Sequence, residues 1–326
     1  MERKIRMLTL KKAYEEFIEF KKSYCDLSTV NYYRQNLKFF FDYIEGVTGK
    51  KIDAIELSEL DRKVMQHYVT YLRGKVKYED HPFKVQVEKK GSLKNSTIRI
   101  YLRAVRVFFN YISDDLDPEF NVARKVRLPQ DDTNMQFPLF TYEVNQIDQL
   151  FSQASEFGLR NLCIIHLMLD AGLRAEEVVA LCVKDISFEK RFLFIVNSKN
   201  HKSRPVPLAA GLLALLKAYL SFRDSDPDEY LILKMGTKSG INYNVIKQLF
   251  YRVRNKTHIH RLHPHLLRHT FAVSYLVYGG NLEFLRDMLG HSDYAVTRLY
   301  VRMSNQLRLT GADVYRLDPV FYMVRS

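Results

Sequence analysis

The sequence predicts a mainly α-helical chain with a small antiparallel β-sheet, built as a helical first domain and a mixed α+β second domain. Three observations predict it. In the first third of the chain, apolar residues recur at helical spacing in four separate runs. Near the middle, residues 191–208 hold two short β-type runs on either side of a polar turn. Between these regions, residues 114–138 (DDLDPEFNVARKVRLPQDDTNMQFP) are polar, carry three prolines and mix both signs of charge, as a domain boundary does. The expected division is a helical domain over 1–120, a linker over 121–138 and a second domain over 139–326.

The first predicted helix runs from about residue 9 to 24 and carries Leu10, Tyr14, Phe17 and Ile18 on one face. Ser28 or Thr29 is the expected cap of a second helix with Val30, Tyr33, Leu37, Phe40 and Ile44. Asp61 is placed to cap a third, with Val64, Tyr68 and Leu72. Asn95 or Ser96 is placed to cap a fourth, with Ile98, Leu102, Val105, Phe108 and Ile112. Four such helices bury one small bundle core, so their aromatic residues are assigned to packing rather than to base stacking. The basic connection from Arg73 to Lys94 contains Phe83–Glu88, which alternates like a strand. Beyond the boundary, Thr141–Val144 reads as a cap and helix start. Residues 161–184 are apolar and helical with a break at Ala171-Gly172-Leu173. RFLFIV at 191–196 and Arg204–Leu208 are the strand candidates, and 210–222, 243–254, 264–278 and 281–289 return to helix.

Composition excludes several classes. The 326 residues are 47% hydrophobic, with 22 Gly plus Pro, which rules out a disordered or collagen-like chain. No run approaches the roughly 18 apolar residues of a membrane span, and MERKIRMLTLKK lacks a signal-type apolar core. Cys25, Cys163 and Cys182 are too scattered for a disulfide framework or a thiolate zinc site and fit a reducing cytoplasm. The net charge of +13 points to a polyanion. It is spread over both halves, with 26 cations against 20 anions over 1–135 and 24 against 17 over 136–326. From Tyr230 to Leu282 there is no Asp or Glu, and Lys247, Arg252, Arg254, Lys256 and Arg261 in that window are the candidates for DNA-backbone contact.

Three segments hold residue types suited to attack on a phosphodiester. They are Asp170–Val178 (DAGLRAEEV), His263–Ala272 (HPHLLRHTFA) and Leu289–Arg302 (LGHSDYAVTRLYVR). Two arginines grip non-bridging phosphate oxygens through planar forks. Histidines donate to the same oxygens or move protons near neutral pH. A tyrosine hydroxyl is a competent nucleophile, and a lysine can protonate the departing 5′-oxygen. The dense histidines His258, His260, His263, His265 and His269 raise a zinc site as a rival. With no His-Glu-x-x-His and no cysteine nearby, it fits poorly.

In order and spacing these segments resemble the signature boxes of the tyrosine recombinases, the phage-integrase and Xer-like family. The first resembles "TGLR-x-x-E-L", the second "H-x-L-R-H-T-F-A", and the third "LGH" followed nine residues later by the nucleophile. The resemblance implies a catalytic set of Arg174, Lys199, His265, Arg268, His291 and Tyr300, with Glu177, Lys202 and His269 in support. The lysine comes from aligning Ser198–Leu208 (SKNHKSRPVPL) on its Val-Pro-Leu end against the family's "G-K-G-N-K-E-R-x-V-P-L". The catalytic position then falls on Lys199 and the second lysine on Lys202, although both family glycines are absent. Arg302 stands where many members carry a histidine. No arm-binding domain precedes the first predicted helix, which favours a simpler Xer-like, transposon or integrative-element recombinase.

The resemblance further implies a core-binding, SAM-like first domain and a catalytic second domain. It implies cleavage and rejoining of double-stranded DNA at a specific site through a 3′-phosphotyrosyl link and a Holliday junction. The expected assembly is a homotetramer on DNA, monomeric or weakly associated when free, in some systems with accessory DNA-bending proteins. No cofactor, metal, ATP or membrane is expected. In the family the segment after the nucleophile packs on a neighbouring protomer; here its apolar Val320–Val324 either does so or packs on its own domain. A DNA-binding regulator without catalysis and a type IB topoisomerase are the alternatives.

Overall fold

A computed structural model describes residues 8–76, 91–115, 121–130, 136–152, 155–196, 203–290 and 294–317. The chain divides into two compact units, Met1–Asn134 and Met135–Ser326. The stretch Phe83–Glu88, the lysines Lys199 and Lys202, His291 and the apolar Val320–Val324 lie outside the described residues.

The first unit contains α1 (Leu10–Tyr24), α2 (Leu27–Thr48), α3 (Arg62–Gly74) and α4 (Asn95–Asp115). Asp61 caps α3, its Oδ1 accepting from the Val64 N–H at 2.9 Å. The cap of α2 differs from expectation. Asp26, not Ser28 or Thr29, accepts the Thr29 N–H at 2.8 Å, and the Ser28 hydroxyl donates to the same carboxylate. With α1 ending at Tyr24, Asp26 is already extended, so the helix begins as early as the chain permits. The apolar faces meet in one core. Leu10, Phe17, Leu37, Phe40, Tyr68, Leu72, Leu102, Val105, Phe108, Phe109 and Ile112 are fully buried. Edge-to-face ring pairs tie the helices together, Phe17 with Phe108 at 5.4 Å and Phe40 with Tyr68 at 5.0 Å. Phe17, Phe40, Tyr68, Phe108 and Phe109 are therefore core, while Phe20, Tyr24 and Tyr71 are exposed. Val122 and Ala123 are also buried in this core, with Val126 and Leu128 packed against it. Residues placed in the expected linker thus pack as part of the first unit, because their apolar side chains are buried in its core.

The second unit begins with α5 (Thr141–Gln149), α6 (Glu156–Leu169) and the short α7 (Ala175–Ala180). A three-stranded antiparallel sheet follows, in the order β1 (Ile186–Ser187), β2 (Phe192–Val196), β3 (Ser203–Pro207). Leu193, Ile195 and Val206 point into the core while Phe192, Phe194 and Val196 face outward, the period-2 alternation of a half-buried strand. Then come α8 (Ala210–Leu220), α9 (Tyr243–Thr257), α10 (Pro264–Val277), α11 (Leu282–Leu289) and α12 (Tyr294–Thr310). The strand β1 and the helix α12 were not expected from the sequence. α10 is central: Leu266, Leu267, Phe271, Ala272 and Val273 are buried, and it packs on both α6 and α12. Arg308, near the end of α12, donates Nε to Val277 O at 2.8 Å and Nη2 to Leu276 O, capping the last carbonyls of α10. After α12 the chain returns to its own unit. Val314 and Leu317 are buried, and the Tyr315 N–H donates to Leu139 O at 3.1 Å.

Candidate active site

The first box is a tight loop between two helices. Gly172 sits at φ +66, the left-handed region, and a Cβ there would lie 2.5 Å from the Phe271 ring. Only glycine meets both demands. Leu173 is fully buried and drags the chain inward, which leaves Arg174 as the N-cap of α7. Glu177 reaches back to it. Glu177 Oε2 accepts the Arg174 backbone N–H at 2.8 Å, and Oε1 accepts Arg174 Nη1 at 3.0 Å. A carboxylate in the first turn also suits the positive end of the helix.

The second box presents Arg268 from the buried middle of α10. His263 caps the helix, its Nδ1 accepting the Leu266 N–H at 3.3 Å, with Pro264 as the first helical residue. The Arg268 side chain is only 5% exposed. Its Nη1 donates to Gly172 O and its Nη2 to Leu289 O, both at 2.6 Å, so one guanidinium bridges the first box to the end of α11. Glu177 Oε2 lies 3.8 Å away. Burial, and then the neighbouring Arg174 charge, draws the Arg268 pKa down to about 9 against the pull of Glu177. It remains a cation at neutral pH. Burial acts to raise the Glu177 carboxyl, but Arg204, the Arg174 N–H and Arg268 outweigh it and hold the group below the usual carboxylate range.

The third box delivers Tyr300 on α12. Its ring is partly buried and packs 5.4 Å from the His269 ring. Burial pushes the phenol up, while the charges of Arg268 and Arg174 pull against it, so Tyr300 shares the field of both arginines. His269 is held from behind, its Nε2–H donating to Gln136 O at 2.8 Å, and burial keeps it below the ordinary histidine range. A tethered imidazole thus lies against the Tyr300 ring. His265 is exposed on the first turn of α10, its ring 6.4 Å from that of His263. The structure therefore brings Arg174, Glu177, Arg268, His269 and Tyr300 together and leaves His265 at the rim. Among the described residues no group of three or more His, Cys, Asp or Glu side chains is placed to hold a metal ion.

Two features of the site were missed in the sequence. The first is Arg204 on β3, whose Nη2 lies 2.9 Å from both Glu177 carboxylate oxygens and whose Nε donates to Met288 O at 2.6 Å. The second is a clamp behind the first box. His166 Nδ1 meets Asp170 Oδ2 at 2.7 Å, His166 Nε2 meets Asp148 Oδ1 at 2.9 Å, and the Tyr315 hydroxyl donates to Asp170 Oδ1 at 2.9 Å. Burial alone would depress His166, but Asp170 and Asp148 override it and lift its pKa to about 10. A folded-state pKa raised above the free value near 6.5 stabilises the fold fully below 6.5. The contribution then declines with rising pH and is gone above about 10. The difference in thermal midpoint between the wild type and His166→Gln is therefore expected to be largest near pH 6 and to shrink steadily towards pH 10. A constant difference across that range would contradict the clamp.

Of the backbone-contact candidates, Lys247, Arg252 and Lys256 are exposed on α9 and Arg254 is half-buried. Arg261 is paired within its own unit, its side chain 31% exposed. Both its terminal nitrogens donate to the Glu143 carboxylate at 2.5 Å, and Nη2 also meets Pro138 O at 3.2 Å. Glu143 is buried, and an unpaired carboxylate there would be costly, so the arginine is committed to it. No helix among the described residues is long and apolar enough to cross a membrane.

Comparison with known proteins agrees with this geometry. The model described as "Phage integrase family" matches residues 141–306, and that described as "Phage integrase SAM-like domain" matches residues 9–113. The tyrosine recombinase XerA of Thermococcus onnurineus is 30% identical over 224 residues, which is 68% of this chain and 76% of its own. A tyrosine recombinase of Pseudothermotoga lettingae is 27% identical over 253 residues, 77% of this chain and 81% of its own. Among solved structures, the Tn1549 transposon integrase in complex with a circular intermediate DNA shares the fold, with a TM-score of 0.71 at 16% identity over 93% of this chain and 99% of that one. By the extent of these matches the chain belongs to the phage integrase family and is a tyrosine-type site-specific recombinase.

Proposed function

We propose that the chain cleaves and rejoins duplex DNA at a specific site through a covalent 3′-phosphotyrosyl intermediate, and exchanges strands through a Holliday junction held by four protomers. The observation that carries this reading is the convergence of Arg268 and Arg174 on the Glu177 carboxylate, with Tyr300 in the field of both arginines. The scissile phosphate is gripped by Arg174 and Arg268, with His265 and His291 donating to its non-bridging oxygens. The Tyr300 oxygen attacks phosphorus and passes its proton to solvent water as the new bond forms. The bond to the 5′-oxygen breaks, and Lys199 supplies the proton that the leaving oxygen needs. The phosphodiester is conserved as the phosphotyrosine, so rejoining is the same step run backwards with a different 5′-hydroxyl and needs no ATP. Two guanidinium groups neutralise the charge that builds in the transition state, which is the work a metal would otherwise do. Lys247, Arg252, Arg254 and Lys256 contact the duplex backbone, and the reaction takes place in the cytoplasm, where the DNA is.

A nicked recombination site, from which the cleaved strand diffuses away, tests the reading. Covalent protein–DNA complex should accumulate on it. No complex with the correct site would leave a DNA-binding protein without catalysis, and relaxation of supercoiled DNA lacking any site would mark a topoisomerase.

The lysine is tested separately with a 5′-bridging phosphorothiolate, whose thiolate leaves without a proton. Lys199→Ala is expected to be severely slow on the ordinary substrate and close to wild type on the phosphorothiolate. Rescue of Lys202→Ala instead would move the general acid to Lys202.

A further inference from the structure

We infer that Arg204 is a positioning residue of the strand-transfer site: its one guanidinium fixes strand β3, and with it the end of the segment that carries Lys199, to the carboxylate shared by Arg174 and Arg268. The inference rests on the reading of a lysine in that segment as general acid.

Arg204 pairs with buried Ile195 across the β2–β3 ladder and shares its face with buried Val206. Its side chain therefore leaves the strand inward, and it is only 11% exposed. A cation in that position needs partners in fixed directions. It has them on two other elements. Nη2 meets both oxygens of Glu177 on α7, and Nε donates to Met288 O in the last turn of α11. The next carbonyl, Leu289 O, is the one that receives Arg268 Nη2. The same Glu177 carboxylate holds Arg174 at 3.0 Å and faces Arg268 at 3.8 Å. One side chain thus joins three pieces of the site: the strand after the Lys199 segment, the first-box helix, and the helix end that precedes His291. The fit is close. Gly290 has φ +63, and a Cβ there would come within 3.3 Å of Arg204 Nη1. Lysine cannot replace this arrangement, since an ammonium offers one point of charge where the guanidinium serves a carboxylate and a carbonyl at once.

If Arg204 acts by placing the acid-bearing segment, its loss should hurt only when a proton must be delivered. Arg204→Lys and Arg204→Gln, each checked for folding by thermal unfolding and for binding to the intact site, are compared on the ordinary and the 5′-bridging phosphorothiolate substrates. Cleavage of the ordinary site is expected to fall roughly 100-fold, the usual effect of about an ångström of misplacement. On the phosphorothiolate the loss should shrink to a few-fold, with DNA affinity unchanged. An equal loss on both substrates would overturn the inference, because Arg204 would then act through the phosphate-gripping arginines or the fold as a whole. No loss on either would overturn it as well. Lys199→Ala run alongside separates the two ideas. If Arg204→Lys is rescued and Lys199→Ala is not, the positioning role stands and the acid is another residue of the same segment.

Discussion

Tyr300→Phe is expected to abolish strand cleavage, by on the order of 10⁴-fold or more, while leaving site affinity within about twofold of wild type. The substitution removes one oxygen and little else. The ring keeps its contact with His269 and its place between the apolar clusters of α10 and α12, so the helix that carries it has no reason to move. Affinity comes chiefly from cations on the duplex backbone, which the change does not touch. The measurement is a nicked-site cleavage assay beside an equilibrium binding titration. A large fall in affinity would show that the hydroxyl holds DNA rather than attacks it.

Arg268→Ala is expected to lower the cleavage rate by roughly 10²–10³-fold, the scale of one lost charge-assisted contact to a developing oxyanion. It should also lower the thermal midpoint clearly, because Gly172 O and Leu289 O lose their shared donor inside the protein. Arg174→Ala is the informative contrast. Its side chain is 34% exposed and its partner Glu177 keeps Arg204. Its rate should therefore fall by a similar factor with little change in stability. Equal stability losses for the two variants would contradict the structural role assigned to Arg268.

How much of this was legible beforehand differs by residue. Helical spacing located the first four helices and their buried faces, because a 3.6-residue period survives in the sequence whatever the tertiary context. The three boxes were legible because residue order and spacing alone carry them. Arg204 stands at the arginine of the family pattern that fixes the lysine, but a cation at the edge of a basic turn looks solvated until the β2–β3 register turns it inward. For the same reason Arg261 and Arg254 look alike in sequence, and only the buried Glu143 distinguishes them. The Asp170–Tyr315 contact joins residues 145 apart, a distance over which no local pattern speaks. The helix α12 was within reach, since Tyr300, Met303 and Leu307 recur at helical spacing on the face that packs. The charge excess found a nucleic-acid partner without showing which cations serve it, because Arg204, Arg261 and Arg308 are all committed to protein groups.

In the proposed reaction one particular oxygen becomes covalently bound to DNA. This is tested most directly by trapping the complex on a nicked site, digesting the DNA and then the protein with trypsin, and sequencing the modified peptide by mass spectrometry. Cleavage after Arg298 and Arg302 releases Leu299-Tyr300-Val301-Arg302, and a nucleotide 3′-phosphate is expected on its Tyr300. A nucleotide on the peptide that contains Tyr294, or one joined through its 5′-phosphate, would contradict it.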